Sequence, residues 1–88
     1  MFTIKIKDKQ IYTDENMPKA NELYVMINSL IPNEKAEFLI DFRNKELGSL
    51  YQRVYAMEGE DYQKWNDDLP YLENWVLTIT GTTRRSEN

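Results

Sequence analysis

Neither cysteine nor histidine occurs anywhere in these 88 residues. No disulfide and no sulfur-ligated zinc or iron–sulfur centre can staple such a chain. Burial of apolar side chains has to hold it together. At this length a single domain is expected, burying only about 60–65% of the surface its unfolded chain exposes. A stability of about 5 kcal/mol, near the low end of the usual range, fits that size.

The same absence narrows function. Without imidazole there is no Ser-His-Asp triad and no side chain whose ordinary pKa lies near neutrality. The three glycines are isolated, so no phosphate-binding loop is present, and neither a G-x-S-x-G nor an H-E-x-x-H pattern occurs. The chain therefore reads as a non-enzyme with no cofactor. Its formal net charge of −4 makes it a poor general ligand for nucleic acid, whose affinity comes mainly from neutralised phosphates. The longest apolar run, Leu23–Ile27, is far short of the ~20 residues of a membrane span. Met1-Phe2-Thr3-Ile4-Lys5 lacks the apolar block of a signal peptide. A soluble, cytoplasmic protein is expected. Phe, Tyr, Asn, Lys and Ile outnumber Gly, Ala, Arg and Pro by 31 to 13, which points to AT-rich codons. A low-GC bacterium, its phage or a mobile element fits that bias, with the host cytoplasm as the site of action.

Pattern along the chain predicts a small α+β domain over residues 1–83, with 84–88 as a loose C-terminal tail. Phe2, Ile4 and Ile6 alternate with Thr3, Lys5 and Lys7, the period of a half-buried strand. Asp8-Lys9 offers a mediocre turn into a second short strand, Gln10–Thr13. Ala20, Leu23, Tyr24, Ile27, Leu30 and Ile31 recur at three and four, predicting a helix capped by Asn16 and closed by Pro32-Asn33. Residues 34–57 fit two patterns, a helix from Asn33 or a strand pair looped at Asn44–Ser49. Tyr62, Trp65, Leu69 and Leu72 read as helix, stopped near Leu69 by Pro70. Trp75–Thr83 reads as a last strand ended or bulged by Gly81. The terminal strands are then expected to pair in one antiparallel sheet packed on one or more helices. A strand pair in the middle gives the alternative ferredoxin-like order, β-α-β-β-α-β. The expected core is Phe2, Ile4, Ile6, Leu23, Ile27, Leu30, Leu77 and Ile79.

Residues 58–73 hold six acids against Lys64 alone. Glu58, Glu60, Asp61, Asp67 and Asp68 lie among Tyr62, Trp65 and Tyr71. Large, stiff, amphipathic rings make good interface anchors, and surrounding carboxylates steer a basic partner. This segment is the expected partner-binding surface, acting on a basic protein, of which one that itself grips nucleic acid is an example. The function it implies is a non-enzymatic binding module, an inhibitor or regulator. As metal ligands the same acids match no Ca²⁺-loop spacing and read as ordinary surface carboxylates. Lys5, Lys7, Lys9, Arg84 and Arg85 form an alternative patch for single-stranded nucleic acid, with Tyr12 or Tyr51 for stacking. Lysines on an open sheet also serve simply to deter edge-to-edge aggregation. A structural subunit of a homo-oligomer, its aromatic face buried, is the third reading.

Overall fold

The structure, a computed structural model, describes residues 2–12 and 16–85. Four strands come first and two helices follow. They are β1 (Phe2–Gln10), β2 (Lys19–Ile31), β3 (Lys35–Asn44), β4 (Gly48–Glu58), α1 (Gly59–Trp65) and α2 (Leu69–Thr80). The sheet is an antiparallel meander in the order β1-β2-β3-β4. This is an α+β domain, but not the ferredoxin-like order. No helix among the described residues is long and apolar enough to cross a membrane.

The expected helix over 20–31 is instead the long strand β2. Its apolar residues satisfy both periods, and the strand period is the one used: Leu23 and Val25 are buried while Tyr24 and Met26 face the other side. Flanking strands on both sides hold it extended. Pro32-Asn33 closes a hairpin rather than a helix. Asn33 sits at φ 62°, a left-handed conformation that Asn tolerates, and Glu34 N–H donates to the Ile31 carbonyl. Residues 34–57 resolve as the strand pair. Phe38, Ile40 and Phe42 all turn inward, and the Asn44 side chain accepts from the Glu46 and Leu47 amides to shape the loop. Asp8-Lys9 makes no turn. β1 runs on to Gln10, with a register shift against β2 between Lys5 and Lys9. Thr13, in the expected second strand, lies outside the described residues.

The last expected strand is helix α2. Asp68 caps it by accepting from the Tyr71 amide, and Pro70 falls in the first turn, where its missing N–H costs nothing. Pro70 therefore starts a helix rather than stopping one. Leu72, Val76 and Thr80 recur every four residues and are buried. The Thr80 hydroxyl donates to the Val76 carbonyl at 2.7 Å, and Gly81 ends the helix at φ 65°. Strand-forming side chains were accommodated because the cap and that buried stripe agree on a helix. The chain then lies along β1: Lys7 N–H donates to the Thr83 carbonyl and Arg85 N–H to the Lys5 carbonyl, both at 2.9 Å. The terminal segments thus meet, but through three residues, with Ile6 opposite Arg84. Of the expected tail, Ser86, Glu87 and Asn88 lie outside the described residues.

Residues directly opposite in an antiparallel sheet share a face. One face, carrying Ile4, Leu23, Val25, Phe38, Ile40, Phe42 and Met57, packs against Trp65, Leu72 and Val76 of the helices. Phe38 is its centre, with Trp65 and Trp75 rings at 5.4 and 5.7 Å. Phe2, Leu77 and Ile79 are partly buried against this core. Ile27 and Leu30, expected inside, are 45% and 50% exposed because β1 ends opposite Val25 and leaves them without a neighbouring strand on that side. Among the described residues no helix packs on the opposite face of the sheet.

Candidate functional site

β4 reverses into α1 at Gly59, whose φ of 60° suits glycine. α1 and α2 are joined by Asn66-Asp67, two consecutive non-glycine residues at φ 38° and 60°. Such left-handed residues store backbone strain, which Asn and Asp bear best. The turn closes with a 2.6 Å hydrogen bond from Asp68 N–H to the Trp65 carbonyl.

This junction opens a groove of about 510 Å³, lined by Leu30, Asn33, Tyr62, Trp65, Asn66 and Asp67 among others. Leu30 comes from β2, Asn33 from the β2–β3 turn, and the rest from α1 and its exit. The Asn33 amide donates to the Tyr62 hydroxyl at 3.2 Å, tying the hairpin to α1. A second groove of about 340 Å³ lies between Asp61, Tyr71, Asn74, Trp75, Thr78 and Ile79.

The five acids proposed from the sequence, Glu58, Glu60, Asp61, Asp67 and Asp68, are all exposed, but their charges are not equally available. Glu60 forms an ion pair with Lys64 at 2.9 Å, which raises the Lys64 pKa from its ordinary value. Asp61 accepts from the Tyr71 hydroxyl at 2.8 Å, which raises the Tyr71 pKa. Asp68 is committed as the α2 cap, and Glu73 pairs with Arg84 at 2.7 Å. Asp67 and Glu58 make no such contact among the described residues. Of the rings, Trp65 is buried at 7% exposure, while Tyr62 and Tyr71 are half-buried. Leu69, expected to turn inward with them, is 46% exposed. No three of these carboxylates converge on a common point among the described residues.

The cations gather at the other side of the sheet. Lys5, Lys7 and Lys9 lie on β1, and Arg84 and Arg85 are brought beside them by the backbone bonds to that strand. Lys9 Nζ also donates to the Gly81 carbonyl at 3.4 Å. Tyr51 belongs to β4, at the opposite edge, and the Tyr12 hydroxyl donates to the Leu50 carbonyl of β4. The aromatic rings are therefore not interleaved with these cations.

Sequence pattern missed a third constellation, on the helix-free face. Asp41 is only 4% exposed; it accepts from the Ser49 hydroxyl at 2.6 Å and pairs with Arg43 at 3.3 Å. The Arg43 guanidinium also lies 5.4 Å from the Tyr24 ring centroid. Next to this cluster Met26, Leu39 and Val54 stand directly opposite one another across three strands. The alternation of Phe38, Ile40 and Phe42 puts Leu39, Asp41 and Arg43 together on the other face, but the helical period of residues 20–31 conceals their β2 neighbours. Comparison with protein-family models, curated proteins and solved structures gives no match.

Proposed function

We propose that the chain is a non-enzymatic binding protein whose docking site is the groove at the α1–α2 junction. The observation that supports this is one arrangement: exposed Leu30 and the Tyr62 ring border the groove, and the Asp67 carboxylate lines it without a partner among the described residues. Apolar side chains beside one carboxylate suit a basic protein segment that inserts an aliphatic or aromatic anchor. Inhibition or regulation of a nucleic-acid-binding protein, by a phage or mobile-element product, is the specific form of this reading. The test is titration with Lys/Arg-rich peptides carrying one Leu or Phe, followed by the tryptophan fluorescence of a Trp75→Phe variant, in which Trp65 is the remaining indole. Binding weakened by salt, by Asp67→Lys and by Leu30→Ala supports it. Binding indifferent to both substitutions sinks it.

A second reading is favoured by the gathering of Lys5, Lys7, Lys9, Arg84 and Arg85 along β1. It predicts that an oligothymidylate binds the isolated protein, with a steep salt dependence, and that Lys5→Ala with Lys7→Ala abolishes it. Binding of the oligonucleotide but of none of the basic peptides would replace the first reading with this one.

A further inference from the structure

The two edges of the sheet differ. That of β1 is covered at Lys5–Lys7 by residues 83–85. On the far side of β4 no strand pairs among the described residues. Tyr51, Gln52, Arg53 and Val54 are four consecutive exposed residues, so both faces and the backbone between them are open. A strand of 11 residues with unpaired N–H and C=O groups is a template for another strand. Its protection is light: β4 carries no Pro or Lys, and its only charges are Arg53 and Glu58.

We propose that this edge pairs with itself, joining two copies antiparallel about a two-fold axis through Val54. The length available sets the centre. The Leu50 carbonyl is already taken by the Tyr12 hydroxyl, and beyond Glu58 the chain turns into α1. What remains, Tyr51–Met57, is symmetric about Val54. Side-chain chemistry gives the same centre. An axis through Arg53 would set two guanidiniums against each other. An axis through Tyr55 would set Arg53 against the partner's Met57. Through Val54, Arg53 stands opposite the partner's Tyr55, and Gln52 opposite the partner's Ala56. Within one chain the Arg53 guanidinium already lies 5.2 Å from the Tyr55 centroid, so the axis repeats a pairing the chain makes itself. No like charges meet.

The helix-free face favours a second copy over a foreign strand. The row Met26, Leu39, Val54 ends at the open edge. Val54 beside the partner's Val54 turns it into one apolar row running across both sheets. This interface involves no residue of the groove and does not depend on the reading given above.

A lone thiol tests the register cleanly, since the chain has no cysteine. Antiparallel neighbours have Cα atoms about 4.5–5.5 Å apart, within the roughly 4.4–6.8 Å that a disulfide spans. Val54→Cys should therefore give a covalent dimer on mild oxidation. Gln52→Cys should not, because its own counterpart lies four residues away along the strand, about 13 Å. The unmodified protein should sediment at twice the mass of one chain at high micromolar concentration. Val54→Lys should sediment as a single chain with an unchanged circular dichroism spectrum. A monomeric wild type, equal cross-linking of the two cysteine variants, or a folded Val54→Lys that remains dimeric overturns the proposal. If Val54→Lys fails to fold, wild-type sedimentation and the cysteine pair decide it.

Discussion

Phe38 meets Trp65 edge to face, with ring centroids 5.4 Å apart. This contact joins the middle of the sheet to the end of α1. Trp75 of α2 reaches the same ring. Phe38→Ala removes the shared centre, and large-to-small changes of this kind cost about 3–5 kcal/mol. In a domain with a total stability of about 5 kcal/mol, that leaves much of the population unfolded. Ile27→Ala, on β2 directly opposite Phe38 but half exposed, should cost about 1 kcal/mol or less. Urea denaturation of both variants checks this; equal losses would mean the layers are not arranged as described.

Asp68→Ala should lower stability by about 0.5–2 kcal/mol, the usual loss for a helix cap. Asp68→Asn, which keeps the acceptor oxygen for the Tyr71 amide, should recover most of it. Thermal melts distinguish the two.

Asp67→Gly should raise stability by about 0.5–1 kcal/mol, because glycine adopts φ 60° without a Cβ penalty. The same change removes the carboxylate from the groove. If the groove is the docking site, the more stable variant binds basic peptides less well, a trade seen where strain is kept for function. A gain in stability with peptide binding intact would separate the strain from the site.

Ser49→Ala leaves the buried Asp41 carboxylate with Arg43 alone. Losing a hydrogen bond to a buried charge should cost about 1–3 kcal/mol. Circular dichroism against denaturant reads it directly, and no loss would show that solvent reaches Asp41.

Tyr71 and Lys64 both hold their protons more tightly in the folded chain, through Asp61 and Glu60 respectively. A raised folded pKa stabilises below the ordinary value, near 10 for both, and that contribution disappears as pH rises through the folded value. Stability should therefore decline on the alkaline side. Asp61→Asn should lower the phenolate titration midpoint of Tyr71 toward its ordinary value, measured by ultraviolet absorbance against the parent protein. An unchanged midpoint would rule out the Tyr71–Asp61 bond.

What the sequence made legible, and what it hid, follows from how many periods each segment satisfies. Phe2, Ile4 and Ile6 satisfy only one, and β1 is where they predict it. In β2, Leu23 with Ile27 and Leu30 spells a helix, whereas Leu23 with Val25 spells a strand; partners on both sides decide between them, and those are invisible locally. In α2 the β-branched run Val76 to Thr80 favoured a strand, but the capping acid Asp68 and Pro70 two residues later mark a helix start. Asp67 and Tyr62 of the groove stand out in sequence, but the helical period of residues 20–31 places Leu30 in the core and Asn33 at a helix end, so the second wall is invisible locally.

Residues 83–85 lie along β1 through two backbone hydrogen bonds. They also decide how many neighbours the sheet can accept. They cover the middle of the β1 edge, at Lys5–Lys7, whereas no strand pairs with the outer edge of β4 among the described residues. If the β4 edge pairs as proposed, assembly through edges stops at a closed pair. A chain shortened to Gly81 would keep its helices and its core yet offer two edges instead of one. Each added copy would then present a fresh edge to the next, and growth would run on as a ribbon with no built-in end. On the proposed β4 pairing, residues 83–85 would therefore separate a finite particle from a fibre.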